Sequence, residues 1–172
     1  MFPTFLDIEA SGLGNTSYPI EIAWNNSNGE ILKRLIKPSS DWTSWDPEAE
    51  CIHGITREEI EQDGISVDDM CSLIKESLTG ITVYSDAPEL ERFWLNRLFQ
   101  ESEDINCPIL TLGVSKIPTI KEICYERGLY DKFKNQAVDE VGIIHRADAD
   151  VRILMSVFQQ ALDYINKKEN KT

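Results

Sequence analysis

The chain has 172 residues, of which 41% are hydrophobic and 27% are charged, and its formal net charge is −13. Its length favours one domain with a core of its own, and its composition is that of an ordinary globular protein. The excess of acidic side chains argues against a long grip on duplex DNA, which needs many phosphate contacts from Lys and Arg, but not against a protein that holds only a few nucleotides.

The first 37 residues are predicted to form three strands. Their apolar stretches are separated by turn-forming residues, of which Asn26–Gly29 is the clearest group. The predicted strands are Phe2–Glu9, Pro19–Asn25 and Glu30–Lys37. Because the connections between them are short, an antiparallel meander is expected.

Beyond a loop rich in Ser, Asp and Trp, helices and strands are predicted to alternate. Ser66 begins one helix as an N-cap, with Asp69 three residues later, and the final helix carries apolar residues at steps of three and four from Ala147 to Ile165. The other predicted elements are the helices Thr56–Gln62, Pro88–Gln100 and Thr119–Arg127 and the strands Ile81–Tyr84 and Pro108–Leu112. This order predicts an α/β fold with a mixed sheet flanked by helices.

A single domain over residues 1–166 is expected, followed by a frayed polar tail over residues 167–172. No apolar run approaches the roughly 18 residues of a membrane span, and acidic residues arrive too early in the chain for a signal peptide, so a cytoplasmic protein is expected. The wide spacing of the cysteines favours reduced and mostly buried thiols over disulfides or a zinc site. These cysteines are Cys51, Cys71, Cys107 and Cys124.

The first predicted strand carries two acids. Asp7 and Glu9 share one face of this strand, opposite Leu6 and Ile8, because side chains alternate. Two neighbouring carboxylates repel each other unless a cation lies between them, so a metal site is indicated, with two ordinary solvent-facing acids as the alternative. The segment Ser11–Gly14 then breaks the strand and offers backbone amides to which a ligand could come close.

A second group of polar residues opens the last helix. Asp150 borders the apolar stripe, which places it at the edge of the core near the helix N-terminus. Ala147 and Ala149 are small enough to let this turn approach a neighbouring strand. His145 lies on the preceding loop and is a candidate proton acceptor, with a structural or surface histidine as the alternative. Asp148 is interpreted as a favourable charge in the first turn.

Taken together with two segments between them, these patterns resemble the DEDDh (DnaQ-like) 3′–5′ exonuclease family of the ribonuclease-H-like superfamily. That family includes bacterial proofreading subunits, ribonuclease T and oligoribonuclease. The order and separation of the segments carry the resemblance, which spans nearly the whole chain. The matching segments are Phe-Leu-Asp-Ile-Glu-Ala-Ser-Gly-Leu (5–13), Pro-Ile-Glu-Ile-Ala (19–23), Ile-His-Gly-Ile-Thr (52–56) and His-Arg-Ala-Asp-Ala-Asp (145–150). The resemblance implies a ribonuclease-H-like fold around a five-stranded mixed sheet.

The middle motif departs from the family's pattern, in which an Asp opens a helix that leads to an aromatic–Leu pair. Counted back from Trp94 and Leu95, the acid here is Glu91, and Asp86 lies near the position where the family has Asn. Asp86 and Glu89 also fit a helix capping box, which would explain them without a functional role. We favour Glu91 as the fourth acid, and Asp86 is the alternative.

The resemblance implies a nuclease site that binds two ions of Mg²⁺ or Mn²⁺. Asp7, Glu9 and Asp150 would hold the first ion, and Asp7 would bridge to the second, with Glu91 acting through water. His145 would take a proton from the attacking water. The expected products are nucleoside 5′-monophosphates, released one at a time from a 3′ end.

The same resemblance suggests where the substrate would bind. The expected partner is the 3′ end of single-stranded RNA or DNA, with no distinction between the two, and homodimer formation is left open. Trp42 and Trp45 could stack on bases or could pack against their own loop. The predicted substrate-binding residues are Ala10, Ser11, Gly12, Leu13, His53 and Ile55.

Two alternatives to an active exonuclease remain at this point. A catalytically silent relative that binds nucleic acid or a protein partner would explain the departure at Glu91. A different metal-dependent phosphohydrolase could use the same scaffold, because a fold does not fix a substrate. The exonuclease hypothesis requires that Asp7, Glu9 and Asp150 converge beside His145.

Overall fold

A computed structural model describes residues 1–102, 107–142 and 145–169. Within these ranges the chain forms strands and helices that alternate after the first three strands. The strands are β1 (Thr4–Ala10), β2 (Pro19–Asn25), β3 (Ile31–Leu35), β4 (Thr82–Ser85) and β5 (Leu110–Gly113). The α-helices are α1 (Pro47–His53), α2 (Arg57–Asp63), α3 (Val67–Leu78), α4 (Pro88–Glu101), α5 (Pro118–Ile120), α6 (Tyr130–Val141) and α7 (Ala147–Glu169).

The strands form one mixed sheet in the order β3-β2-β1-β4-β5. The strand β2 pairs antiparallel with β1 and β3, whereas β4 pairs parallel with β1 and β5. The predicted α/β fold, with a five-stranded mixed sheet flanked by helices, is confirmed. Because β1 lies at the centre of the sheet, side chains at its end can meet groups from elements on either side.

Helices cover both faces of the sheet. Leu6 and Ile8 of β1 belong to one core cluster, which they share with apolar residues of α3 and α4 such as Leu95. Phe5 belongs to the other cluster, together with Val151 and the rest of the apolar stripe of α7. The alternation predicted for the first strand is therefore observed, with buried apolar side chains on both of its faces.

Some predicted boundaries differ from the structure. The helix predicted over Thr119–Arg127 is the short α5 followed by a π-helical segment, Lys121–Glu126. The last helix continues to Glu169, so residues 167–169 are helical and not the start of a frayed tail. Ile165 still packs against the core there, and Lys167 and Lys168 suit the negative end of a helix dipole. The rest of the predicted tail, residues 170–172, lies outside the described ranges.

Two helices are not predicted by the sequence. The first, α1, begins after Asp46, whose carboxylate accepts a hydrogen bond from the Glu48 N–H at 2.9 Å, and Pro47 occupies its first turn. The second, α6, has only two buried residues, Phe133 and Ala137. Its apolar stripe is too thin to stand out in a chain this polar, and its position becomes clear only from its packing against α7.

No helix within the described ranges is long and apolar enough to cross a bilayer. The four cysteines are free thiols. Cys71 and Cys124 are buried and Cys107 is partly buried, whereas Cys51 is exposed on α1 and departs from the expected burial.

Candidate active site

Asp7 and Glu9 lie near the end of the central strand β1, on the face opposite Leu6 and Ile8. Both acids are only partly buried. The register between β1 and β2 shifts between Glu9 and Ala10, and such irregularities change the direction of side chains at a strand end. The alternation of the strand therefore brings two carboxylates to one place beside the core.

A buried ion pair fixes the start of α7. Glu21 on β2 lies opposite Glu9 in the sheet register and has no exposed surface. Its carboxylate accepts hydrogen bonds from Nε and Nη2 of Arg146, at 3.2 and 2.6 Å, and from the backbone N–H of Ala147 at 2.9 Å. A side chain of β2 thus provides the acceptor that an N-cap residue would normally provide, and it attaches the N-terminus of α7 to the sheet.

This attachment brings His145 and Asp150 to β1. Potential ligand atoms of Glu9, His145 and Asp150 all lie within 4.8 Å of one another. His145 is exposed and has a φ angle of 58°, a left-handed conformation that residues other than glycine adopt rarely and that is typical of functional positions. Three of the four residues that the exonuclease hypothesis requires to converge, Glu9, His145 and Asp150, therefore lie together.

A cavity of about 330 Å³ lies over these side chains, and we call it the acidic cavity. It brings together the four predicted acids, both candidates for the middle motif, and the predicted imidazole. Its titratable lining residues are Asp7, Glu9, Asp86, Glu91, Lys134, His145 and Asp150.

The two candidates for the fourth acid have different surroundings. Glu91 is only 2% exposed. Its Oε1 lies 3.3 Å from the hydroxyl of Ser85, and its Oε2 has no hydrogen-bond partner in the described part of the chain. Asp86 is more accessible, and its Oδ2 forms an ion pair with Nζ of Lys134 at 2.7 Å. The buried carboxylate with a free oxygen is thus Glu91, whereas the charge of Asp86 is balanced by a neighbour.

The capping box considered as an alternative explanation of Asp86 and Glu89 is not formed. The N-cap position is occupied by Ala87, which offers no side-chain acceptor. The backbone N–H of Ala87 donates to the Ser85 hydroxyl at 3.0 Å. Asp86 pairs with Lys134, and Glu89 pairs with Arg92 at 2.7 Å. Long-range and in-helix partners have replaced the local cap that the sequence pattern suggests.

Burial and mutual repulsion raise the pKa values of the acids. Burial, reinforced by the charges of Asp150 and Glu9, holds the pKa of Asp7 well above its usual range. Burial and the charge of Asp150 raise the pKa of Glu9 to about 7. Burial, followed by the charge of Asp7, also raises the pKa of Glu91. A bound divalent cation would relieve this excess of negative charge, and carboxylate oxygens are the ligands that Mg²⁺ and Mn²⁺ prefer.

A second cavity, of about 240 Å³, adjoins the acidic cavity and shares Glu9 and His145 with it. We call it the adjoining cavity. Leu13 and Ile52 give it an apolar rim, and these side chains are 77% and 59% exposed. Four of the predicted substrate-binding residues line it, namely Ala10, Gly12, Leu13 and His53.

Ser11 and Ile55 do not line either cavity. Ser11 is buried, and its hydroxyl accepts a hydrogen bond from the Tyr18 N–H at 3.1 Å. Ile55 belongs to the core, and its N–H donates to Nδ1 of His53 at 3.0 Å. Ser11 therefore stabilises the turn after β1, and Ile55 orients the His53 imidazole, while burial lowers the pKa of His53.

Both tryptophans of the polar loop pack against other residues of the fold and are not positioned for base stacking. Trp42 is buried and stacks on Tyr18, with ring centroids 5.0 Å apart. Trp45 is partly buried, donates a hydrogen bond to Glu50 and approaches the His53 ring edge-on. For both residues the alternative of packing within the fold is the correct one.

Sequence reasoning missed three contributors to this site. Glu21 stands in a strand in which every residue is buried, and an acid in such a strand was a detectable sign of a buried ion pair. Ile52 was noted only as part of a motif. Lys134 gave no signal, because it lies on the unpredicted helix α6.

Comparison with solved structures shows the same fold in exonucleases. Exonuclease I from Methylocaldum szegediense matches with a TM-score of 0.67 at 17% identity, covering 91% of this chain and 40% of that one. E. coli Exonuclease I in complex with a dT13 oligonucleotide matches with a TM-score of 0.64 at 18% identity, covering 94% of this chain and 41% of that one. The zinc-bound E. coli Exonuclease I–ssDNA complex matches with a TM-score of 0.65 at 18% identity, covering 97% of this chain and 43% of that one.

At these identities the likeness shows a shared fold, and the chain spans about two fifths of the length of these structures. No protein-family model matches the chain, and no curated protein matches its sequence.

Proposed function

We propose that the protein is a metal-dependent 3′–5′ exonuclease that removes nucleoside 5′-monophosphates from single-stranded nucleic acid. The observation that carries this proposal is the convergence of Glu9, His145 and Asp150, whose potential ligand atoms lie within 4.8 Å of one another. The fold shared with Exonuclease I structures, two of which hold single-stranded oligonucleotides, supports the choice of substrate.

The acidic cavity would hold two divalent ions, Mg²⁺ or Mn²⁺. We assign Asp7, Glu9, Glu91 and Asp150 as the residues that would hold these ions. The raised pKa values of Asp7 and Glu9 support this assignment, because burial and then the neighbouring carboxylates oppose their ionisation, and a bound cation would favour it. When bound, such ions activate water and neutralise charge on the phosphate and on the leaving oxygen.

We assign the role of general base to His145. Its imidazole is exposed and lies beside Glu9 and Asp150, so it can accept a proton from the attacking water and release that proton to solvent. The ion pair between Glu21 and Arg146 holds in place the residue that directly follows His145. That pair therefore positions the imidazole without touching the substrate.

The adjoining cavity is assigned to the terminal nucleotide. Leu13 and Ile52 offer exposed apolar surface to a base, and the shared residues Glu9 and His145 connect this surface to the acidic cavity. Gly12 lines this cavity, and a Cβ at this position would lie 3.0 Å from Cβ of Asp46. A nucleotide bound in this cavity would present its 5′ phosphate to the carboxylates.

The experiment is hydrolysis of 5′-labelled single-stranded RNA and DNA in Mg²⁺, in Mn²⁺ and in EDTA. A ladder that shortens from the 3′ end is expected only with the metal ions. Asp150→Asn and His145→Ala should each lower the rate by about 100-fold or more. Asp148→Asn is the matched control, since Asp148 lies in the same helical turn but pairs with Lys33 and Arg152 outside the acidic cavity.

The same experiment separates the alternatives. Fragments produced by internal cuts would contradict an exonuclease and favour a different phosphohydrolase. Retention of the labelled strand by the protein, without cleavage under any metal condition, would favour the catalytically silent relative.

A further inference from the structure

Lys134 has an unusual place at the acidic cavity. Five carboxylates line this cavity, and among its described lining residues Lys134 is the single Lys or Arg. Its Nζ lies 2.7 Å from Oδ2 of Asp86 at the border of the cavity. Both side chains of this ion pair are partly exposed, so the Lys134 ammonium can also contact a phosphate that enters beside α6.

Aromatic rings continue from Lys134 away from the acidic cavity. Nζ of Lys134 lies 6.0 Å from the centroid of the Tyr130 ring. Tyr130 stacks on Tyr125, with centroids 5.1 Å apart and planes inclined by 24°. Tyr125 is 46% exposed, and an accessible aromatic ring is a surface on which any nucleobase can stack.

Two further lysines line a groove together with Tyr125. An open groove of about 570 Å³ is lined by Tyr125, Ser115, Lys116, Lys121 and Glu126. Lys116 is exposed and forms no ion pair with another described residue. Nζ of Lys121 lies 3.9 Å from Glu126 in a solvent-exposed pair, which is weak. Both ammonium groups are thus available to phosphates.

The stretch of chain that carries these residues is basic in an otherwise acidic protein. The net charge of the chain is −13, yet residues 113–134 contain five Lys or Arg side chains against three acidic ones. Lys121 and Tyr125 belong to the π-helical segment Lys121–Glu126, a rare conformation that is frequent at functional sites. Positive charge interleaved with accessible aromatic rings is typical of surfaces that bind single-stranded nucleic acid.

We propose that Lys134, Tyr130, Tyr125, Lys121 and Lys116 form a binding track for the single strand upstream of its 3′-terminal nucleotide. A base stacks on Tyr125, and the strand's phosphates contact Lys121 and Lys116. The inference rests on the proposed function, which places the terminal nucleotide in the adjoining cavity and its 5′ phosphate in the acidic cavity, where the track starts. Stacking and phosphate contacts are tolerant of sequence, so the ligand is a single-stranded polynucleotide of either sugar type.

The test measures affinity against strand length by fluorescence anisotropy in EDTA, where binding is separated from hydrolysis. The probes are 5′-labelled tetramers and hexadecamers of dT and of rU. The wild-type protein should bind the hexadecamers about tenfold more tightly than the tetramers. Tyr125→Ala, and separately Lys116→Glu combined with Lys121→Glu, should remove this gain, whereas Tyr125→Trp should keep it.

Salt dependence provides a second readout. The double lysine variant should lose about 0.7 from the slope of log affinity against log salt for each phosphate contact removed. Arg34→Glu combined with Lys37→Glu is the matched control, because it makes the same change in charge at exposed positions near β3, at the opposite edge of the sheet. The control variant should keep both the length-dependent gain and the wild-type slope.

Each outcome is decisive. Equal affinity of the wild-type protein for short and long strands, or an unchanged gain in the track variants, overturns the track. A gain seen with dT or with rU alone overturns the proposal that the track accepts either sugar type. Hydrolysis of a p-nitrophenyl ester of thymidine 5′-monophosphate in Mn²⁺ tests the acidic cavity without an upstream strand. If this ester is not hydrolysed, the exonuclease proposal is contradicted. The anisotropy measurement still tests the track in that case.

Discussion

Arg146 donates two hydrogen bonds to the fully buried carboxylate of Glu21, which lies 125 residues earlier in the chain. The same carboxylate caps α7 through Ala147. One side chain of β2 therefore determines where the helix that carries Asp150 begins, and it does so next to the residue assigned as general base.

Removal of Arg146 should be costly for this reason. Arg146→Met leaves the buried charge of Glu21 with only Lys33, 3.7 Å away, as a cationic partner, and loss of a partner from a buried pair lowers the free energy of unfolding by up to ~3–5 kcal/mol. Urea denaturation measures this change. The matched control is Arg152→Met, which breaks a solvent-exposed pair with Asp148 and should cost only ~0–1 kcal/mol. Equal losses in the two variants would contradict a structural role for the buried pair.

The stability of the metal-free protein should fall as the pH rises. The pKa of Glu9 is about 7 in the folded protein, compared with an ordinary value of 4.5, so protonation favours the folded state. This contribution is full below about pH 4.5 and disappears as the pH rises through about 7, and the pKa shifts of Asp7 and Glu91 act in the same direction. Thermal unfolding at a series of pH values in EDTA measures the effect.

Divalent ions should reverse this loss. Mn²⁺ or Mg²⁺ should raise Tm more at pH 8 than at pH 5, because the carboxylates bind metal in their ionised form. Asp7→Asn should raise the Tm of the metal-free protein at pH 8 and should reduce the increase that the ions produce. An increase of the same size in wild type and variant would show that the ions bind elsewhere.

Glu91 and Asp86 should differ in their effect on the metal-dependent rate. Glu91→Gln removes the buried carboxylate and should lower the rate in Mn²⁺ by about 10–100-fold, the range found when groups that support a metal site are removed. Asp86→Asn removes a carboxylate already paired with Lys134 and should change the rate by less than about threefold by the same comparison. A larger loss in Asp86→Asn would reassign the fourth acid.

Gly12 should not tolerate a side chain, whereas Gly14 should. At Gly12 the φ angle is +155° and a Cβ would lie 3.0 Å from Cβ of Asp46, so Gly12→Ala should destabilise the turn by ~1–3 kcal/mol and weaken the binding of the terminal nucleotide. At Gly14 nothing lies within 4 Å of the position of a Cβ, and Gly14→Ala is the matched control. Urea denaturation and KM for a short strand are the two measurements, and parallel results at both glycines would contradict the steric argument.

Much of the fold and of the candidate site could be predicted from the sequence, because the strands, the helices and the positions of these acids depend on local patterns. Alternation in β1 fixed the shared face of Asp7 and Glu9, and the apolar stripe of α7 placed Asp150 at the edge of the core. These patterns follow from strand and helix geometry, so no knowledge of distant contacts was needed.

The remaining features depend on contacts between distant residues. Asp86 pairs with Lys134, which is 48 residues away, and this pair replaces the local cap that the sequence suggests. Trp42 lies in a polar loop but is buried, because Tyr18 provides a stacking partner from a different part of the chain. The sequence does not indicate Lys134 as a site residue, because its position beside the acidic cavity depends on the packing of α6 against α7.

The attachment of α7 to the central strand has a consequence for the order of events on the ribosome. In a nascent polypeptide, Glu9 of β1 emerges 141 residues before Asp150. Until the segment that carries His145 and Asp150 has been synthesised and has docked, the growing polypeptide has unbalanced carboxylates and no imidazole beside them. Under the proposed assignments, an unfinished product would therefore be harmless to the message being translated.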